Sequence, residues 1–140
     1  EEGFKVLEDD SIVLDGAFLL AGRRDAASVQ HRHGPLDPTP PRKPLPEWLP
    51  KTGLPILLLD HQPWHLEEAE AAGIALQLSG HTHYGQLVPI NFITHLVYEK
   101  SWGRLRKGGT EYYITCGTGT WGPPVRTSSY PEIVEIRIKR

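Results

Sequence analysis

The segment SGHTHYGQ, residues 79–86, places two histidines one residue apart between two glycines, directly after an apolar run. Neutral imidazole is the commonest metal ligand among side chains, and it suits zinc, iron, manganese and nickel. His81 and His83 therefore either hold a metal ion or belong to a polar turn that happens to be rich in histidine. The elements that position them favour the first interpretation.

Two predicted strands bring a third histidine to this pair. Residues 54–60 form a continuous apolar run of strand length, which predicts a strand buried on both faces. Residues 63–73 have the pattern of a helix, and residues 74–80 are typical of a second strand. In a parallel β-α-β unit, the loops after the strands leave the sheet at one edge, where α/β proteins bind ligands. His61 follows the first strand and the histidine pair follows the second. We therefore expect three histidines to converge at this edge.

The other histidines are weaker candidates for metal ligands. His31 and His33 are also one residue apart, but they lie in a proline-rich loop between residues 22 and 50 with no strand before them. His65 is predicted to lie on the surface of the helix, and His95 receives no assignment. Metal binding is therefore predicted only for the three histidines at the sheet edge.

Further strands are predicted on both sides of the β-α-β unit, which indicates an α/β fold with a mixed sheet and flanking helices. These strands lie at residues 4–7, 11–15, 17–22, 110–116 and 132–139. Residues 94–103 lead into the strands of the last third, and a hairpin turn is expected at 107–109. A short helix is expected around residues 44–49.

The composition is that of a globular protein. The chain has 140 residues, of which 39% are hydrophobic and 23% charged, so it can bury a core. Its net charge of −2 predicts no general attraction to nucleic acid or to anionic membranes. No apolar run approaches the length of about 20 residues that spans a bilayer. The single cysteine, Cys116, cannot form a disulfide within the chain.

Other kinds of catalytic site have little support. The chain has no G-x-S-x-G sequence, and Cys116 has no histidine near it in sequence, so acyl transfer is disfavoured. The glycine-rich segment GTGTWG, residues 117–122, lacks the lysine of a phosphate-binding P-loop. Arg126 could bind an anion as a bidentate donor, and we assign it a substrate-binding role.

Three segments together resemble a known family. GHTHYGQ resembles the last metal-binding motif of the calcineurin-like metallophosphoesterases, and ILLLDHQP resembles the motif before it. GTGTWGPPVRTSSYPEIVEI is similar to the C-terminal end of a bacterial subgroup of phosphohydrolases that often carry N-terminal membrane segments. The resemblance covers residues from about 54 to 138.

The resemblance implies a fold and a mechanism. The fold would be the C-terminal half of the family's β-sandwich, which combines a mixed sheet with flanking helices. His61 and His81 would bind one ion of a two-metal site and His83 the other, with manganese, iron or zinc as the metal. In the family, a hydroxide bridging the ions attacks the phosphorus of a phosphate monoester or diester. The full-length protein would be associated with a membrane.

Part of the family's pattern is missing from this chain. The 140 residues contain neither a D-x-H sequence, nor a G-D pair that would supply a bridging aspartate, nor a G-N-H-[DE] sequence. With no methionine at position 1 or elsewhere, we expect residues 1–140 to be the C-terminal portion of a larger phosphoesterase domain. The isolated chain is then expected to be inactive or nearly so, and an uncovered face of its sheet is expected to promote self-association.

Two alternatives were weighed against this hypothesis. A non-catalytic binding or assembly module that retains the fold would show the histidines making internal hydrogen bonds and no metal. A metallo-β-lactamase-type enzyme would need H-x-H-x-D-H, whereas Tyr84, Gly85 and Gln86 follow the histidine pair here. The second alternative is therefore excluded, and the first remains open.

Overall fold

The computed structural model describes residues 3–25 and 42–139. The strands in these ranges are β1 Asp10–Leu14, β2 Phe18–Gly22, β3 Ile56–Leu59, β4 Leu76–Ser79, β5 Gly103–Lys107 and β6 Thr110–Ile114. The helices are α1 Leu45–Trp48, α2 Leu66–Ala71 and α3 Ile90–Val97, and a single 3₁₀ turn spans His83–Gly85. The predicted loop histidines, His31 and His33, lie outside the described residues.

The six strands form one mixed sheet in the order β1-β2-β3-β4-β6-β5. Strands β2, β3, β4 and β6 are parallel neighbours, while β1 and β5 pair antiparallel at the two edges. The predicted β-α-β unit is present as β3, α2 and β4. The mixed sheet with its helices confirms the predicted α/β fold class, and five of the predicted strands and both predicted helices appear with shifted ends.

One face of the sheet carries the core. Leu58 of β3 and Tyr112 of β6 point to this face and are fully buried with Leu66 of α2 and Leu45 of α1. The Tyr112 hydroxyl donates a hydrogen bond of 2.6 Å to the Leu66 carbonyl oxygen, which ties α2 to the sheet. Burying the polar tip of a tyrosine is stabilising only with such a partner.

The opposite face of the sheet is apolar but only partly covered by the described residues. Leu59 and Leu78 are register partners on this face, and Leu59 is 41% exposed. Our prediction that β3 is buried on both faces is therefore wrong for this chain, because α1 and α2 both pack on the other side. The continuous apolar run could not reveal this, since it shows only that both faces are apolar.

The predictions of a strand at residues 4–7 and of another at residues 132–139 are also wrong. Residues 4–7 form no strand, although Leu7 packs so closely on β2 that a Cβ at Gly22 would lie 2.5 Å from the Leu7 Cβ. Residues 132–139 form no strand either, and Ile133 and Ile138 of this segment are exposed. An alternating pattern predicts a strand only if a sheet edge is available to pair with it.

Helix α3 is a feature that the sequence analysis missed. The sequence predicts that residues 94–103 lead into the final strands, whereas a helix begins at Ile90 and continues to Val97. Threonine, valine and isoleucine are frequent in INFITHLV, and their β-branching favours strands locally.

Candidate metal centre

The parallel strands β3 and β4 deliver two histidines to the same edge. The ladder continues past the strand ends, because the Asp60 amide donates to the Leu78 carbonyl (3.0 Å) and the Gly80 amide donates to the His61 carbonyl (2.9 Å). The imidazole of His61 lies beside Gly80, where an added Cβ would be 3.8 Å from its Nδ1. This pairing brings the His61 ring next to His81.

His61 and His81 are in direct contact. The His61 Nε2 and His81 Nδ1 atoms are 3.3 Å apart, and the rings meet edge to face with an interplanar angle of 83°. Burial lowers the pKa of His81, and a charge on His61 lowers it further, so the neutral form that binds metals is favoured. Two nitrogens bound at about 2.0–2.1 Å to one tetrahedral ion lie roughly 3.3 Å apart, so the pair fits one metal ion.

His83 lies in the same cavity but is held differently. A cavity of about 640 Å³ is lined by all three predicted histidines together with residues of β3, β4 and the loop after β6. The His83 Nδ1 atom is 3.4 Å from the Arg126 guanidinium, and burial followed by this positive charge lowers the His83 pKa. Within residues 3–25 and 42–139, no group of three or more histidine, cysteine or acidic side chains is arranged to hold a metal ion. Metal binding by the three histidines remains a prediction.

The loop that carries the histidine pair is strained. His81, His83, Tyr84 and Gln86 all have positive φ angles between 48° and 66°, a region that non-glycine residues seldom adopt. Each such residue costs on the order of 1 kcal/mol or more, and the conformation persists only when surrounding contacts impose it. Strain of this kind is concentrated at functional sites, which supports a role for this loop beyond connection.

Arg126 makes some of the contacts that impose the conformation of the loop carrying His81 and His83. Its Nη2 donates to the carbonyl oxygens of Cys116, Gly117 and Gly119, and its Nη1 donates to the Ser129 hydroxyl. The guanidinium therefore holds the glycine-rich loop after β6 in place beside His83. The predicted substrate-binding role of Arg126 remains a prediction, and in this structure Nη2 donates to backbone carbonyls and Nη1 to Ser129.

Gln86 also holds the loop after β6 in place, a role that the sequence did not predict. Its side chain is 2% exposed; Nε2 donates to the carbonyl oxygens of Trp121 (2.8 Å) and Pro123 (3.1 Å), and Oε1 accepts from the Trp121 amide (2.6 Å). Its own carbonyl accepts from the amides of Thr127 and Ser128. A glutamine after a glycine carries no sequence signal for this, because its partners lie 35 to 42 positions further along.

Asp60 directly precedes His61 and lines the same cavity, but its carboxylate is engaged by two arginines. Its carboxylate accepts from Arg42 (2.7 Å) and Arg23 (3.4 Å), and the Asp60 and Arg23 side chains are almost completely buried. Burial raises the pKa of Asp60 despite the two arginines. These pairs stabilise the strand end, and they occupy the carboxylate oxygens that a metal would need.

Glu132 anchors the C-terminal segment to the end of β6. Its carboxylate accepts from the Cys116 amide (3.0 Å) and the Trp102 indole (3.1 Å). Burial acts to raise the pKa of Glu132, but these hydrogen bonds outweigh it and the pKa is lowered from the usual 4.5. The ionised form is therefore favoured in the folded state.

We expect the lowered Glu132 pKa to make stability fall in acid. Its contribution is fully present above the ordinary pKa of the unfolded chain and is lost as the pH drops through the lower folded value. Glu132→Gln should lower the free energy of unfolding at neutral pH by about 1 kcal/mol and reduce its decline in acid. Urea denaturation at several pH values measures both effects. Glu135→Gln, which alters an exposed carboxylate paired with Arg137, is the control, and equal curves for both variants would contradict the prediction.

Curated proteins that are similar to this chain are named as metallophosphoesterases or as containing a metallophosphoesterase domain. The chain is 42% identical over 89 residues to a "Transmembrane protein with metallophosphoesterase domain" of Danio rerio, which covers 61% of this chain and 20% of that protein. It is 37% identical over 86 residues to an uncharacterized metallophosphoesterase of Helicobacter pylori, covering 60% and 23%. A third, an uncharacterized metallophosphoesterase of Aquifex aeolicus, is 33% identical over 139 residues, covering 98% of this chain and 51% of the relative.

These relatives support the assignment of the chain to the metallophosphoesterase family. This confirms, at the level of the family, the resemblance carried by GHTHYGQ and ILLLDHQP. Comparison with protein-family profiles found no match, and no solved structure matched. The chain spans about half the length of the Aquifex metallophosphoesterase and about a fifth of the other two relatives. Among its described residues, no helix is long and apolar enough to cross a membrane.

Proposed function

We propose that this chain is the C-terminal portion of a metal-dependent phosphoesterase domain that hydrolyses phosphate monoesters or diesters at a two-metal centre. The observation that carries the proposal is the 3.3 Å contact between His61 and His81 at the edge of parallel strands. It combines the donor chemistry of a metal site with the spacing that one ion requires. Membership of the metallophosphoesterase family supplies the reaction class.

In this proposal each histidine has a distinct role. His61 and His81 hold one ion, and His83, whose ring is set by Arg126, faces the second. Manganese, iron or zinc would suit such imidazole ligands, and when bound they lower the pKa of water and stabilise phosphoryl oxygens. Arg126 and Gln86 hold the loop after β6 against the histidine loop, so they keep the imidazoles oriented.

We further propose that the remaining ligands come from outside these 140 residues. The chain contains no D-x-H sequence and no N-H pair, and Asp60 is engaged by two arginines. Without a carboxylate between them, two cations would repel each other at the separation of about 3.5–4 Å that such centres use. The isolated chain should therefore bind one ion weakly and show no phosphodiesterase turnover. Turnover by the purified chain alone would refute this part of the proposal.

Two features of the whole protein are also proposed. Relatives in Danio rerio and Bos taurus are named transmembrane proteins, which supports membrane association of the full-length protein. The partly covered sheet face bearing Leu59 and Leu78 would favour self-association of the chain when it is isolated. Sedimentation velocity of the isolated chain at several concentrations tests the second point, and a single monomeric species throughout would contradict it.

Metal titration of the purified chain tests the proposed site directly. We expect binding near one equivalent of zinc or manganese by calorimetry, and a loss of affinity of at least about tenfold in His81→Ala, since removing a ligand from a site with few protein ligands is costly. His83→Ala should weaken binding less if His83 serves the second ion.

A matched histidine separates a specific site from general affinity for imidazole. His65 is exposed and contacts Glu67, so His65→Ala removes one histidine while the cavity stays intact. It should leave the titration unchanged. Equal losses in the His65 and His81 variants would show that the histidine pair is not the site.

The non-catalytic alternative rests on the same contact. One imidazole of His61 and His81 can donate a hydrogen bond to the other, which would satisfy both rings without a metal. In that case the titration would show no binding to the chain, and His81→Ala would reduce stability while leaving metal content unchanged.

A further inference from the structure

Helix α3 shows its apolar side to solvent. Ile90, Phe92, Ile93, Leu96 and Val97 lie on one side of the helix, and none is buried. Phe92 is 63% exposed and Leu96 88%. A surface helix normally turns its apolar stripe toward the core and its polar side to water.

The polar side of the same helix faces the protein. The His95 imidazole is 3.2 Å from the Tyr84 hydroxyl and 3.1 Å from the Ser101 hydroxyl, so both ring nitrogens are engaged. The backbone of Asn91 packs against Gly85 of the 3₁₀ turn. The orientation of α3 is therefore inverted and is held by specific polar contacts, so it does not result from loose packing.

The exposed side belongs to a larger patch that reaches the histidine cavity. Val88 precedes the helix and is exposed, and Trp121 is 69% exposed. Trp121 and Ile90 line a second cavity together with His81 and His83. Residues 87–97 contain no aspartate, glutamate, lysine or arginine. We call this the α3 patch: Val88, Ile90, Phe92, Ile93, Leu96, Val97 and Trp121.

We propose that the α3 patch docks onto the surface of a lipid bilayer. Its side chains are exposed on the outer side of a helix, so a protein partner would need a matching groove, whereas the boundary of a bilayer adapts to the shape of the helix. The stretch without charges can enter the acyl boundary, where amphipathic helices bury their apolar side by about 5–10 Å. An exposed tryptophan at its border is typical of residues that settle at headgroup depth.

The charge of the chain indicates that docking does not require anionic lipids. The net charge is −2 and the patch carries no cation, so attraction to anionic lipids contributes nothing and the binding is apolar. Docking would hold the cavity of His81 and His83 at the headgroup layer. This inference goes beyond the proposed function and does not depend on metal binding.

Sedimentation of the chain with vesicles tests the proposal. The 140-residue chain is mixed with phosphatidylcholine vesicles in the presence of a chelator, and the bound fraction is measured against lipid concentration. We expect binding with a blue shift of tryptophan emission, and a loss of partitioning of about tenfold or more in Phe92→Ser/Leu96→Ser, since two apolar side chains leave the interface. Both residues are exposed, so the variant should remain folded, which circular dichroism checks.

A matched variant removes apolar surface elsewhere. Ile133→Ser/Ile138→Ser alters two exposed isoleucines of the C-terminal segment, which line neither cavity of the histidine pair. It should bind vesicles as the wild type does. No binding by the wild type, or equal losses in both variants, would overturn the proposal. Self-association that only the α3 variant abolishes, without vesicle binding, would instead assign the patch to a second copy and also overturn it. Because a chelator is present, these outcomes do not depend on the metal titration.

Discussion

Gly85→Ala is expected to disrupt the contact between the histidine loop and α3. Gly85 has a φ of +70°, and an added Cβ would overlap the backbone of Asn91 and lie 2.7 Å from the carbonyl carbon of Ile90. Backbone atoms cannot turn aside as a flexible side chain can, so the helix or the loop must move. We expect the free energy of unfolding to fall by about 2–4 kcal/mol, from strain at positive φ together with overpacking. Urea denaturation measures the loss.

Gly73→Ala is the matched control for this substitution. Gly73 has nearly the same φ, +71°, and no atom lies within 4 Å of an added Cβ. It should therefore show only the backbone cost of about 1 kcal/mol. If the two variants lose the same stability, the close packing of Gly85 on α3 contributes nothing. A selective loss at Gly85 would also weaken metal binding in the titration, because the same loop carries His81 and His83.

The second large effect is expected at Gln86. Replacing it with alanine leaves the Trp121 amide and the Trp121 and Pro123 carbonyls without their partner in a partly buried setting. The loss should be about 2–3 kcal/mol, since three hydrogen bonds of about 1 kcal/mol each are removed. Gln86→Glu keeps the shape but directs a carboxylate at two carbonyl oxygens, so it should be at least as destabilising.

Hydrogen exchange distinguishes a local role of Gln86 from a general loss of stability. In Gln86→Ala, the amides of Trp121, Thr127 and Ser128 should exchange faster than those of β3 and β4. Ser128→Ala is the graded control, because the Ser128 hydroxyl makes one hydrogen bond of 3.1 Å to the Tyr84 carbonyl. It should cost about 1 kcal/mol. Uniform acceleration throughout the sheet would show that Gln86 contributes only to global stability.

Much of the site could be predicted because its geometry follows from local patterns. Apolar runs at residues 54–60 and 74–80 around a helix-like segment predict parallel strands, and parallel strands place their following loops at one edge. The contact between His61 and His81 is a consequence of that topology. The roles of Gln86 and Arg126 could not be predicted, because a glutamine or arginine in a loop has no periodic pattern and its partners are distant in sequence.

By itself, the sequence determined the α/β class, the order β3-α2-β4 and the histidines that meet at its edge, since each depends on residue types within a short window. Only the tertiary structure decided which side of a helix packs against the rest of the protein and which groups a polar side chain contacts. The apolar stripe of α3 would look the same in either orientation, and the packing of the Asn91 backbone on Gly85 together with the polar contacts of His95 turned it outward. Asp60 likewise follows a strand, as a metal ligand would, yet its carboxylate is ion-paired with Arg23 and Arg42. Such choices depend on competition among groups brought together by folding, which no single stretch of sequence contains.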